Sequence, residues 1–322
     1  MKLLTSMLAA CLAACAPVAK PMSAADVPNP LVAAHQHLIS PAFSKEVLHG
    51  EPAQDGASLL TLLDQAGIRR GVVLSMGYSF GDERKKLPNP DLQTSAENNW
   101  TSQQMVASHG RLVGFCGVNP LREAALAEID RCLRLPRMVG IKLHFGNSGV
   151  SLENPEHLAR LKQLFALANA RGAAMVVHLR TRSDHPYTPE DARLFLTELL
   201  PAAPNTVVQV AHLADSGPCF RPDGQAAFEI FASAIERHDP RTRNLYFDET
   251  TIPCIEASTE ESAAVARAIR RVGVKRVFFG SDMFIGGNPS PAESWAIFKR
   301  KVPLTPAEFR VIAANVPPYM RP

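Results

Sequence analysis

A His-Gln-His string ends the short apolar run of residues 31–37, and its two imidazoles are the first side chains able to do chemistry together. Side chains alternate faces along a β-strand, so His35 and His37 share one face while Gln36 points to the other. Two neutral imidazoles at a strand end can grip one metal ion. A lone His-x-His is also what a surface strand shows by chance, so the remainder of the chain decides between the two. Lys142 and His144 end the apolar run 140–144, His178 ends 175–178, His212 ends 208–212 and Asp282 closes 277–282. Imidazoles and a carboxylate gathered at one place suit Zn²⁺ or a similar ion. Arg180 and Arg182 come directly after His178. Guanidinium groups suit a carboxylate or phosphate through paired hydrogen bonds. The plain alternative is that these arginines point to solvent.

Such residues need a scaffold that brings strand ends together. The expected strands are residues 32–37, 71–75, 112–118, 139–144, 174–179, 207–212, 245–250 and 277–281. They are apolar on both faces, as the strands of a parallel sheet covered by helices must be. Between them, residues 58–63, 158–170, 192–200, 226–235 and 262–272 show helical spacing, and 305–314 closes the chain. Start signals fit at Pro155-Glu156, Thr188-Pro189-Glu190 and Ser258, and Gly67, Gly172 and Gly273 stand just past helical runs. Strands alternating with helices predict an α/β fold, and eight such units in this length predict a single-domain (β/α)₈ TIM barrel over residues 31–322. An open doubly wound sheet is the alternative, but no Gly-x-Gly-x-x-Gly follows the first strand. In a barrel the working residues lie at the C-terminal ends of the strands, which is where these side chains fall.

The chain has 322 residues, 46% hydrophobic and 20% charged, with formal net charge +3 and 7% aromatics. That charge is too small and too scattered to argue nucleic-acid binding. The expected partner is a small-molecule substrate, with a homo-oligomer left open. Met1-Lys2 and the apolar residues 3–14 have the form of a signal peptide, too short to span a bilayer. Two Leu-Ala-Ala-Cys strings end at Cys11 and Cys15 and resemble the bacterial lipobox. Cys15 leaves the longer apolar core and is the expected lipidated residue. This predicts a signal peptide over 1–14, a lipidated tether over 15–30, and a periplasmic protein anchored to the outer membrane. Membrane contact is then expected only through that lipid. An ordinary secretory cut near Ala14 or Ala24 is the alternative, and both export the chain. Cys116, Cys132, Cys219 and Cys254 remain in the body. Cys219 and Cys254 fall in loops after neighbouring strands, where a disulfide fits better than zinc ligation.

His-x-His at strand one, His178 and His212 at strands five and six, and Gly280-Ser281-Asp282 at strand eight together resemble the amidohydrolase superfamily of metal-dependent hydrolases. The resemblance covers nearly all of residues 31–315. It is greatest to the branch that contains aminocarboxymuconate semialdehyde decarboxylase. It implies metal ligands His35, His37, His178 and Asp282, with His212 as a catalytic histidine and Asp282 as the group that takes a proton from water. It implies one divalent ion per chain, Zn²⁺ first among candidates, or two if Lys142 is carboxylated and bridges them. Lys142 is otherwise a substrate clamp or a partner of Asp282. His144, Arg180 and Arg182 are the expected substrate contacts, and Asp248 or Glu249 the residue that orients a ligand histidine. The expected reaction is hydrolysis of a small, carboxylate-bearing ester, amide or lactone. Non-oxidative decarboxylation of a small unsaturated or aromatic acid is the rival, and a non-catalytic metal-binding envelope protein the third reading. The loop with Tyr78, Phe80 and Arg84 either lines the pocket or forms a charged surface.

Overall fold

A computed structural model describes residues 27–180 and 187–321. The residues expected as a leader, 1–14, with Cys15, most of the expected tether and Arg182, lie outside the described residues. Eight parallel strands follow one another around one sheet in chain order. They are β1 (Val32–Gln36), β2 (Arg70–Leu74), β3 (Leu112–Gly117), β4 (Met138–His144), β5 (Ala174–His178), β6 (Val208–Val210), β7 (Leu245–Asp248) and β8 (Val277–Phe278). Beyond β8 the chain returns to β1: Ala34 N–H donates to Phe279 O at 2.7 Å and Asp282 N–H to His35 O at 3.0 Å. The (β/α)₈ barrel expected from the sequence is thus the fold of the described chain.

Each strand feeds a helix on the outer wall. These are α1 (Gly56–Gln65), α2 (Pro90–Ala107), α3 (Ala125–Cys132), α4 (Pro155–Arg171), α5 (Pro189–Leu194), α6 (Pro222–Glu236), α7 (Thr259–Val272) and α8 (Pro291–Lys301), with α9 (Pro306–Ala314) closing the series. Their starts are built by side chains: Asn154 caps α4, and Ser258 with Glu261 forms a reciprocal cap on α7. Among the described residues no helix is long and apolar enough to cross a membrane.

One apolar core lies between strands and helices, and a second fills the barrel itself with Val32, Ala34, Val72, Phe115, Val176 and Phe278. The C-terminal segment carries Tyr319 and Met320 into this inner core. Arg70 ties it there, donating from Nη1 to Met320 O at 2.8 Å. A register irregularity in β1 between Ala33 and Gln36 lets inward-facing Ala34 be followed by an inward-facing His35. Such a bulge re-aims a side chain, and here it aims a histidine into the barrel mouth.

Candidate active site

His35 and His37 stand at the C-terminal end of β1, both nearly buried. Each has one ring nitrogen fixed by a neighbour. His35 Nδ1 lies 3.1 Å from Asp248 Oδ2, and His37 Nδ1 lies 2.7 Å from Leu74 O. A carbonyl and a carboxylate can only accept, so both rings carry their proton on Nδ1. In a neutral ring Nε2 then carries the lone pair, and both Nε2 atoms lie 3.3 Å from the same oxygen, Asp282 Oδ1. His35 Nε2 is buried with no hydrogen-bond partner. Burial, partly opposed by Asp248, lowers the pKa of His35 to about 4, so it is neutral near pH 7. Three acceptors converge on one point, and a cation satisfies all three. His35, His37 and Asp282 form a group whose ligand atoms lie within 4.8 Å of one another.

The end of β8 reaches this point because Gly280 permits it. A Cβ there would sit 2.3 Å from Thr250 Oγ1 and 2.7 Å from His35 Cβ. Asp282 then takes a left-handed backbone, φ 60°, and Asn288 Nδ2 donates to its Oδ2 at 3.0 Å. Burial opposes ionisation of Asp282, but His37 and His35 more than offset this and hold the carboxyl below the ordinary range.

His212 lies two residues beyond β6 in the same kind of backbone, φ 54°. Its amide N–H donates to Asp248 Oδ1 at 3.0 Å, and its Nδ1 donates to Thr250 O at 2.8 Å. The ring lies 4.8 Å from that of His35 and 4.9 Å from that of His178, between centroids. Asp248, expected only as one of two possible orienting acids, thus serves both histidines. Glu249 points elsewhere: burial and the Asp248 charge hold its carboxyl well above its usual range.

His178 is not inside the tight group. His144 and His178 are register partners across β4 and β5, and His144 Nε2 lies 2.5 Å from His178 Nδ1. His144 Nδ1 accepts the Asn147 N–H at 3.1 Å, so its proton is on Nε2 and points at His178. His178 Nε2 is left buried without a partner. His144 was expected to meet substrate; both its ring nitrogens are instead engaged, one as a helix cap and one with His178. Lys142 is 1% exposed, and burial lowers its pKa to about 8 against the opposing charges of Asp282 and Asp248. It faces the site as the counter-charge to those two carboxylates.

Arg180 is engaged within the protein. Its guanidinium donates to Asp215 Oδ1 at 3.1 Å, pairs with Asp223 and lies over the Tyr187 ring. Two carboxylates already fill its fork, so it secures the loop after β6 to α6 instead of waiting for substrate. Arg182 lies outside the described residues. Tyr78 is buried with its ring 5.2 Å from that of His144, so the loop after β2 lines the site, whereas Arg84 turns back to Asp82. Sequence reasoning passed over Gln209 and Asn288, polar residues with no spacing signal of their own.

A family model described as Amidohydrolase matches residues 34–315. The chain belongs to the amidohydrolase family. No curated protein matches it. Among solved structures it is similar to a probable 2-pyrone-4,6-dicarboxylic acid hydrolase from Acinetobacter baumannii, with citric acid bound. The identity there is 16% and the TM-score 0.54, over 88% of this chain and 95% of that one. It is also similar to 5-carboxyvanillate decarboxylase from Sphingomonas paucimobilis, at 15% identity and TM-score 0.59, covering 88% and 96%. A Burkholderia multivorans amidohydrolase with bound zinc shares 13% identity at TM-score 0.58, covering 88% and 95%. At such identities the likeness is one of fold, and this amidohydrolase must be read from its own residues.

Proposed function

We propose that this amidohydrolase is a metal-dependent hydrolase of a small, carboxylate-bearing ester, amide or lactone. One divalent ion, zinc first, would be held by His35, His37 and Asp282, with His178 as the fourth ligand once it parts from His144. The observation that carries the reading is the convergence of two imidazole Nε2 atoms, whose Nδ1 atoms are both held by acceptors, and a carboxylate oxygen on one point. A bound divalent ion supplies Lewis-acid polarisation of a substrate oxygen and lowers the pKa of water.

The remaining steps belong to side chains. Asp282 accepts the proton of the attacking water, its other oxygen steadied by Asn288. His212 keeps its Nδ1 proton on Thr250 O, so it gives a proton to the leaving atom from Nε2 only as the imidazolium, and it is recharged by the proton that Asp282 took from water. With Arg180 committed to Asp215 and Asp223, Lys142 is the cation that a substrate carboxylate would meet.

One observation favours non-oxidative decarboxylation as a second reading. Ile39, Phe43, Met76, Tyr78 and Phe80 form an apolar cluster on loops after β1 and β2, roofing the mouth. Excluding water favours loss of CO₂, which consumes none, over hydrolysis, which needs one at the reacting carbon. Elemental analysis of chelator-free protein should give about one zinc equivalent per chain. Two equivalents lost together in Lys142→Ala would establish the bridged site, and no metal under any loading would end the reading. Turnover in H₂¹⁸O then separates the chemistries: label in a new carboxylate marks a hydrolase, and CO₂ released without it marks a decarboxylase.

Export and a lipid anchor at Cys15 belong to the same proposal. Two disulfides, Cys116–Cys132 and Cys219–Cys254, support an oxidising compartment.

A further inference from the structure

An unbroken run of hydrogen bonds joins the closed bottom of the barrel to the candidate metal site at its mouth. Tyr319 enters the barrel from the N-terminal end, its ring 5.0 Å from that of Phe115. Its hydroxyl donates to Gln209 Oε1 at 2.6 Å. Gln209, fully buried on β6, donates from Nε2 to Asp248 Oδ2 at 2.7 Å and to Ala34 O at 3.3 Å. Asp248 Oδ2 accepts the Nδ1 proton of His35 at 3.1 Å, and Asp248 Oδ1 accepts the His212 amide at 3.0 Å.

The order of donors in this run is forced. Gln209 has one acceptor end and one donor end, and Asp248 needs the donor end. Asp248 Oδ2 and Ala34 O can only accept, so they take the Nε2 end and leave Oε1 to the hydroxyl of Tyr319, which must donate. Without that hydroxyl the buried Oε1 has no donor, and Gln209 gains one only by shifting away from Asp248. Asp248 would then turn, and it is the group that keeps the His35 proton on Nδ1 and holds the left-handed turn at His212.

We propose that Tyr319 is a positioning residue for the metal site, acting through Gln209 and Asp248 on the tautomer of His35 and the backbone of His212. The C-terminal segment thereby couples closure of one end of the barrel to ligand geometry at the other. The inference rests on the reading of His35, His37 and Asp282 as metal ligands, and its test separates the two.

Tyr319→Phe keeps the ring against Phe115 and removes only the hydroxyl. Gln209→Met, of similar volume, cuts the next link. Full-length wild type and both variants are compared in two measurements. In metal-free protein, ¹⁵N–¹H correlation of the histidine rings reads the His35 tautomer: wild type should show Nδ1–H alone, and both variants a mixture of tautomers. Competition with a chromophoric chelator reads zinc affinity, which should fall about 3- to 10-fold in either variant, at or just below the range seen when partners of metal-ligating histidines are removed. The d–d absorption of Co²⁺-substituted protein should shift in parallel. An unchanged His35 tautomer, zinc affinity and cobalt spectrum, with a lower melting temperature only, would make Tyr319 a plug and overturn the proposal. Variants that show the tautomer effect in a protein that binds no zinc even as wild type would refute the metal reading while keeping the positioning role of Tyr319.

Discussion

His212 and Asp282 both hold left-handed backbone, φ 54° and φ 60°, although neither is glycine. A non-glycine residue there costs about 1–3 kcal/mol and persists only where its surroundings over-determine it. Here they do: Asp248 takes the amide of His212, and the carbonyl of His35 takes the amide of Asp282. His212 and Asp282 are two of twelve non-glycine residues at positive φ among the described residues, and the two to which proton transfer is assigned. His212→Asn is therefore expected to keep the metal and lose a factor of about 10² to 10⁴ in turnover, the usual worth of a positioned proton-transfer group. Zinc content measured beside turnover checks this, and loss of zinc with activity would make His212 a ligand. The histidines, Lys142 and Asp282 were legible in the sequence because each is the polar residue ending an apolar run. The ion pairs of Arg180 were not legible: adjacency to His178 says nothing of Asp215 and Asp223, which only the folded loops bring to it. The bond between His144 and His178 was equally out of reach, because it depends on β4 and β5 pairing at those two residues.

At the scale of elements, all eight strands were visible as apolar runs, and the observed spans differ mainly in their ends. Helix α2 was not visible, and its composition explains why. Its buried residues are Thr94, Glu97, Asn98, Thr101, Ser102 and Met105, so it packs a mostly polar face inward and shows little hydrophobic period. Those groups are satisfied locally. Asn98 donates to Gly117 O and Glu128, and Ser40 donates to Glu97 Oε2 at 2.5 Å. Glu97 remains the costly one: burial raises its carboxyl pKa to about 7, with the Ser40 bond only partly opposing. The folded state therefore binds a proton on Glu97 that the unfolded chain has lost above its ordinary value of 4.5. The burial penalty is absent below pH about 4.5, grows as pH rises, and is complete above about 7, on the order of 3 kcal/mol at roughly 1.4 kcal/mol per unit. Glu97→Gln removes this term. Urea unfolding at pH 5 and pH 7.5 should show a smaller fall in stability for the variant than for wild type. Equal falls would mean that Glu97 stays ionised in the fold.

For the whole molecule, the disulfides bear on where the chain works. Cys116–Cys132 ties β3 to the end of α3 across 16 residues, and Cys219–Cys254 ties the loops after β6 and β7 across 35. The second was left open by the sequence: neighbouring strands in a barrel have neighbouring loops, which allows the pair without requiring it. The first was not, because α3 offers too short a run to be placed over β3 from sequence alone. A barrel of this size has core enough without staples, so paired cysteines point to an oxidising compartment more than to a need for stability. That agrees with the export and anchoring proposed from residues 1–14 and Leu12-Ala13-Ala14-Cys15. Protein extracted from native membranes should therefore begin at an acylated Cys15. It should leave Cys116, Cys132, Cys219 and Cys254 closed to alkylation until reduced. Intact mass with and without reduction reads both at once. A soluble species beginning near residue 25 without acyl mass would remove the anchor and leave export standing. Four thiols that alkylate without reduction would remove the oxidising compartment itself.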